Sequence, residues 1–271
     1  METKSQQPSK ITMPLAVVIA GALIAGAVII SNGKGTPAPA TNTAAAQQQA
    51  TTATVAKLSI RPISESDHIQ GNPLSPIEMF VFTDFECPYC KQFHATMKSI
   101  MANFGSAGKI VWINRDFPLV QLHSNAPKEA QASECVAALG GNTAYWKFID
   151  KIFEVTPSNN GLDLTQMPTF AQNAGVSVSD FNACVTSNKY SDVVDTDTRE
   201  AESTGGRGTP FTIFAVKNPI NQSQIDNINA LANTFGPDTF VISDDKKMVS
   251  MSGALPTGIV ANLINILLGS S

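Results

Sequence analysis

Cys87 and Cys90 stand two residues apart where one periodicity gives way to another, in the run Phe85-Glu86-Cys87-Pro88-Tyr89-Cys90-Lys91-Gln92-Phe93. Ahead of the pair, Ile77 to Phe85 is mostly apolar; behind it, Phe93, Met97, Ile100, Met101 and Phe104 recur on one helical face. The chain therefore reads as strand, turn and helix, with Cys87 at the helix start. A thiol there meets unpaired backbone N–H groups and the positive end of the helix dipole, which favour thiolate over thiol. Pro88 suits the first turn, where its missing N–H has no helical partner to lose. Two thiols at this spacing close a small ring, so one sulfur can attack a disulfide while the other releases the product.

Other uses of a Cys-x-x-Cys fit less well. Haem attachment needs a His directly after the second Cys, and Lys91 stands there. Zinc needs two further ligands, but Cys135 and Cys184 lie far apart, with no His or Cys close to either. No metal and no cofactor are expected beyond a redox-active Cys87–Cys90 disulfide. Tyr89 offers only a weak donor, so the helix start alone is expected to bring Cys87 clearly below the free-thiol value of about 8.5. Cys135 and Cys184 both sit in amphipathic helical stretches. They form either a structural disulfide, worth roughly 4 kcal/mol in the chain-entropy picture, or two buried free thiols acting as small apolar groups. An oxidising location favours the bond.

The rest of the 271 residues divides by composition. Lys4 and Lys10 lie in a short N-terminal segment, 1–12, that the positive-inside bias keeps cytoplasmic. Met13 to Ile30 carries no charge, and eighteen helical residues span roughly 27 Å, near the thickness of a bilayer core. This is a transmembrane anchor or a signal peptide. Cleaved signals have a shorter apolar region, about 7–15 residues, and the small-residue run Ala38-Pro39-Ala40 lies well beyond this one. Residues 31–56, rich in Thr, Ala, Gln, Pro and Gly, read as a disordered tether. Residues 57–271 are then one domain held outside the cytoplasm, in the periplasm or at the cell exterior, and secreted if the segment is cleaved. The net charge of −4 leaves no basic footprint, which argues against nucleic acid as a partner.

Within the domain, 57–76 reads as an irregular lead-in, 77–84 as a strand, 87–104 as a helix and 109–114 as a strand parallel to the first. A helical block covers about 126–204, with a stop expected at Gly140-Gly141. Strand character returns at 211–216, 239–242 and 248–251, and a last helix runs over 257–268. Residues 217–238, rich in Asn and Gln, read as a solvated insertion with a short helix at 225–232. The fold class is α/β, one layer carrying the cysteine pair with an all-helical insertion between its halves.

Taken together, Ser75-Pro76-Ile77 through Asp84-Phe85-Glu86-Cys87-Pro88-Tyr89-Cys90, Phe93-His94, Arg115-Asp116-Phe117-Pro118-Leu119, Leu122-His123, Tyr145-Trp146-Lys147-Phe148, Gly208-Thr209-Pro210 and Gly253-Ala254-Leu255-Pro256 resemble the DsbA-like thioredoxin-fold family of bacterial disulfide oxidoreductases. The resemblance covers about 60–271. It implies a thioredoxin-like fold with a helical insertion, Cys87 as the exposed nucleophile, Cys90 as the buried resolving thiol, and a cis Pro210 presenting the Thr209 backbone to a bound peptide. Pro88, Tyr89 and Glu86 would support the site. It further implies a monomeric, membrane-anchored oxidase of exported or unfolded protein thiols, reoxidised by a membrane quinone-linked thiol oxidase. Reductase or isomerase activity with the same cysteines is the alternative, and a non-catalytic binding domain a further one. Many thioredoxin-like domains carry a buried acid on the strand before the cysteines; Phe80 and Val81 stand there, leaving Glu86 or water to take the Cys90 proton. His94, two turns after Cys87, reads as a packing residue, and His68 and His123 belong to no constellation.

Overall fold

The computed structural model describes residues 58–236 and 238–269, so the expected segments 1–12, 13–30 and 31–56 lie outside the described residues. Among the described residues no helix is long and apolar enough to cross a membrane. Six strands form one sheet: β1 (His68–Gly71), β2 (Ile77–Thr83), β3 (Ile110–Asp116), β4 (Phe211–Val216), β5 (Phe240–Ile242) and β6 (Met248–Ser252), in the order β1-β3-β2-β4-β6-β5. Only β2 and β3 run parallel. The crossover that a parallel pair requires is α1 (Pro88–Ile100), prolonged by a π-helical turn at Met101–Gly105.

β2 is apolar at almost every position because both faces of the sheet are covered. Ile77, Met79 and Val81 join a core with Phe93, Met97 and Ile100 of α1 and with Val260, Leu263 and Ile264 of α7 (Thr257–Leu268). Phe80 and Phe82 point the other way, into a smaller cluster with Val111, Ile113, Phe211 and Ile213, closed by Ala201 and Phe117. Burying each such side chain contributes about 1.5–3 kcal/mol. That double cover holds the strand end, and hence the turn bearing the cysteines, rigid.

The expected α/β layer with a helical insertion is present. The insertion comprises α2 (Ala126–Val155), α3 (Met167–Ala174), α4 (Val178–Thr186) and α5 (Ser191–Ser203). A disulfide joins Cys135 of α2 to Cys184 of α4, with Cα atoms 5.9 Å apart. One local expectation fails, one holds and one is extended. The lead-in is not wholly irregular, because four residues too short to show alternation add β1 to the sheet edge through β3. The expected stop at Gly140-Gly141 is present: Gly141, at φ 74° and ψ −177°, is non-helical and divides Ala126–Val155 into two helical stretches across a kink. The short helix expected at 225–232 within the solvated stretch 217–238 is present but longer, 14 residues forming α6 (Gln222–Phe235). A capping box starts α6: Asn221 Oδ1 accepts from Gln224 N, and Gln224 Oε1 accepts from Asn221 N. Ile228 and Ala232 are buried, and Gln224 Nε2 donates to the Ile266 carbonyl at 2.7 Å near the end of α7.

Candidate active site

Strand β2 ends at Thr83, and a tight turn delivers Cys87 as the N-cap of α1 (φ −77°, ψ 122°), with Pro88 opening the helix. The Cys87 N–H donates to the Asp84 carbonyl at 3.2 Å, and its own carbonyl receives Lys91 N at 3.1 Å. The helical turn brings Cys90 back beneath Asp84, whose N–H donates to Cys90 Sγ at 3.4 Å. From across the sheet, the Phe82–Phe211 register of β2 and β4 carries Thr209-Pro210 to the same strand end. This peptide bond is cis, and the Cys87 thiol donates to the Thr209 carbonyl at 3.4 Å. The structure thus gathers Cys87, Cys90, Pro88, Thr209 and Pro210 at one place.

Both cysteines are free thiols and both are buried, Cys87 at 4% exposure and Cys90 at 2%. The expectation of an exposed Cys87 is corrected: Thr209 roofs it, and it is Tyr89, 63% exposed, that faces solvent. The two thiols differ in their surroundings instead. Cys87 is lowered from 9.0 to about 6, first by the hydrogen bond from the Cys90 thiol, against the opposing effect of burial. Contact with Thr209 and the backbone N–H groups of Cys90 and Tyr89 add to it. The helix start therefore contributes, yet it ranks behind Cys90, whose desolvated S–H bonds the thiolate directly. Burial pushes Cys90 well above its ordinary value, and the neighbouring Cys87 pushes it further. Charge belongs on Cys87 and the proton on Cys90. Tyr89 helps through its backbone only.

Behind the thiols lies a set of buried acids and one imidazole. The Asp84 side chain is fully covered and accepts three hydrogen bonds: from Glu86 N at 2.8 Å, from Leu119 N at 2.7 Å, and from His123 Nδ1 at 2.9 Å. His123 is buried, which alone would lower its pKa, but the Asp84 bond and then the charges of Asp84 and Cys87 raise it. Glu86, a candidate acceptor for the Cys90 proton, spends its oxygens elsewhere: Oε2 takes Gly161 N at 3.1 Å and Oε1 takes Leu162 N at 3.3 Å. It thereby clasps a loop in which Ser158, Asn159 and Asn160 are all left-handed, with φ of 66°, 55° and 66°. Asn159 N also donates to the Glu86 carbonyl at 2.8 Å. Glu129, on the buried face of α2, is pushed up to about 9 by burial and then by Glu86.

His123 and Glu129 have no local pattern in the sequence. His123 lies 39 positions from its Asp84 partner, and Glu129 falls on a helix face whose direction only the fold reveals. The other two histidines pack elsewhere. His94 binds Asp150 at 2.6 Å and stacks on Phe153, and His68 binds Glu134 at 2.7 Å and stacks on Tyr145. Among the described residues no group of three or more His, Cys, Asp or Glu side chains could hold a metal ion.

A family model described as Thioredoxin matches residues 64–232. Among curated relatives, the Na(+)/H(+) antiporter NhaA 1 of Mycolicibacterium gilvum (strain PYR-GCK) is 32% identical over 158 residues, 57% of this chain but 24% of that protein. The corresponding protein of Mycolicibacterium vanbaalenii is 30% identical over the same shares. The chain thus spans about a quarter of the length of these relatives. Solved structures with the same fold include DsbA2 of Pseudomonas aeruginosa (20% identity, TM-score 0.53, covering 73% of this chain and 93% of that one). Alpha-DsbA1 of Wolbachia pipientis (22%, 0.56, 75% and 91%) and oxidised BdbD of Bacillus subtilis (18%, 0.53, 66% and 97%) are similar in the same way.

Proposed function

The chain belongs to the thioredoxin family, and on that premise we propose that it is a DsbA-like thiol–disulfide oxidoreductase that works through Cys87 and Cys90. The observation that carries this reading is the division of labour between two neighbouring thiols, Cys87 lowered to about 6 and Cys90 raised. In the oxidised protein, a substrate thiolate attacks Cys87 Sγ and breaks the Cys87–Cys90 bond; Cys90 leaves and takes up a proton. The second substrate thiol then loses its proton and attacks the mixed disulfide. The substrate leaves with a disulfide, and Cys87 leaves as a thiolate. A leaving thiol of low pKa speeds that last step.

The substrates are extended segments of unfolded or exported proteins. A cleft of about 510 Å³, with Leu119, Val120 and Leu122 among its apolar lining and Glu202 and Arg207 as its charged residues, offers them an apolar seat with one charge of each sign. The Thr209 backbone presents itself next to Cys87. The remaining parts of the reading rest on composition. Segment 13–30 anchors a monomeric domain outside the cytoplasm, and a quinone-linked membrane thiol oxidase restores the disulfide.

A second reading, reductase or isomerase, has one observation in its favour. At pH 7, lowering Cys87 from 9.0 to about 6 stabilises the reduced form by about 1 kcal/mol after solvent screening, roughly 20–30 mV for a two-electron couple. That is small against the gap of about 150 mV between thioredoxin and DsbA. Equilibration of the full chain with glutathione buffers separates the two: about −120 mV supports the oxidase, and about −270 mV supports the reductase. Failure of Cys87 and Cys90 to form any disulfide rejects both.

A further inference from the structure

His123 has no part in the exchange steps above, yet it is built into the site. The loop after β3 places it so that Nδ1 lies 2.9 Å from Asp84 Oδ2. Asp84 is also the residue whose carbonyl receives Cys87 N and whose N–H holds Cys90 Sγ. One residue therefore grips the imidazole and both cysteines. The groups facing His123 from each packed element are Asp84 in the β2–α1 turn, Cys87 at the start of α1, and Asn159 in the loop after α2. Behind Asp84 stand Glu129 of α2 and Asp116 of β3, both pushed up by burial and by neighbouring acids. The charge of the Cys87 thiolate acts on His123 in the direction of holding its proton.

We infer that His123, held by Asp84, is the positioning cation of the reduced site, so that opening the Cys87–Cys90 disulfide is accompanied by proton uptake at His123. The balance closes. A substrate dithiol gives up two electrons and two protons and becomes a disulfide. The Cys87–Cys90 bond takes both electrons, one proton goes to Cys90, and the other goes to His123 in place of Cys87. The imidazolium and the thiolate appear together, and they disappear together when the disulfide is restored. By linkage the coupling is reciprocal: whatever the thiolate adds to the proton affinity of His123, the imidazolium adds to the acidity of Cys87.

The inference rests on the reading of Cys87 and Cys90 as a redox pair, and the experiment keeps the two apart. The chain has three histidines, so their imidazole carbon signals can be followed by NMR across a pH titration of the full chain. His123 is identified by its loss in H123Q. Its midpoint is expected to lie about one pH unit higher in the reduced than in the oxidised protein, a tenfold change in proton affinity. His68 and His94, paired with Glu134 and Asp150 away from the thiols, give the remaining two imidazole signals. Reduced Cys87→Ser is expected to return His123 to its oxidised-state midpoint. In H123Q the Cys87 thiolate absorbance should titrate at higher pH by the same factor. Equal His123 midpoints in both redox states overturn the inference while leaving the redox pair intact. Failure of the two cysteines to bond, read by mass spectrometry on the same samples, overturns the underlying reading.

Discussion

Replacing Cys90 by Ala tests what keeps Cys87 acidic. The descent from 9.0 to about 6 amounts to roughly 4 kcal/mol at 1.36 kcal/mol per unit before any screening. The Cys90 thiol is its largest cause, ahead of Thr209 and of the two helix-start N–H groups. A hydrogen bond to a charged acceptor contributes about 1.5–3 kcal/mol, and the weak S–H donor belongs at the lower end. Cys90→Ala should therefore raise the Cys87 midpoint by about one unit, to about 7. Cys90→Ser, which keeps a donor of similar reach, should hold it close to 6. The assay is thiolate absorbance near 240 nm against pH, checked by the pH dependence of alkylation. Only Cys87 titrates in either variant, because Cys135 and Cys184 are bonded to each other. A midpoint that stays at about 6 in Cys90→Ala would refute the ranking and return the effect to the helix start.

Glu129 titrates at about 9 in the fold against 4.5 for the free side chain, so its contribution to stability is complete below pH 4.5 and is lost as the pH rises toward 9. Glu129→Gln should nearly match the parent at pH 4.5 and exceed it by up to about 4 kcal/mol at pH 7.5 in urea unfolding; a difference that does not vary with pH refutes this. Glu86→Gln removes an acceptor from either Gly161 or Leu162 N–H and should cost about 1–3 kcal/mol, with amide exchange at those two residues accelerating most. Unchanged protection there would mean that the loop holds itself. Replacing both Cys135 and Cys184 by Ala opens a link across 49 positions and should cost about 2–4 kcal/mol in the same unfolding assay. A loss well under 1 kcal/mol would show that α2 and α4 hold together without it.

Features carried by local pattern were legible in the sequence, and features carried by contacts were not. The change from an apolar run to a 3.6-residue period at Cys87 located the strand, the turn and the helix, since each depends on residues within one or two turns. The long helical block and the returning strands followed for the same reason. β1 escaped because four residues hold no period, and its existence depends on the hydrogen bonds that β3 offers. α6 was underestimated because its exposed face is mostly polar, Gln222, Ser223, Asp226, Asn227, Asn229 and Asn233 among it; its stability comes from the Asn221–Gln224 box and the seat against α7. Glu86 was visible but misassigned. Proximity in sequence suggested a proton acceptor for Cys90, while the side chain in fact turns toward Gly161 and Leu162.

The same distinction explains how an acidic site can hold a thiolate. Asp84 and Glu86 lie in the cysteine turn, with Glu129 and Asp116 close to Asp84, and four carboxylates beside a thiol would drive its pKa up rather than down. The fold disposes of them one by one. Burial pushes Glu129 up to about 9, so that it keeps its proton at neutral pH, and pushes Asp116 well above its ordinary value. Asp84 is covered by two backbone N–H groups and His123, and Glu86 by the N–H groups of Gly161 and Leu162. What Cys87 then meets is the Cys90 thiol, Thr209 and the backbone N–H groups of Cys90 and Tyr89, while His123 feels its charge. The acids thus serve as the frame: Asp84 and Glu86 each tie the cysteine turn to a neighbouring loop. Asp84 ties the cysteine turn to the loop bearing His123, and Glu86 ties the same turn to the left-handed loop at 158–160, whose Asn159 side chain completes the contacts of His123.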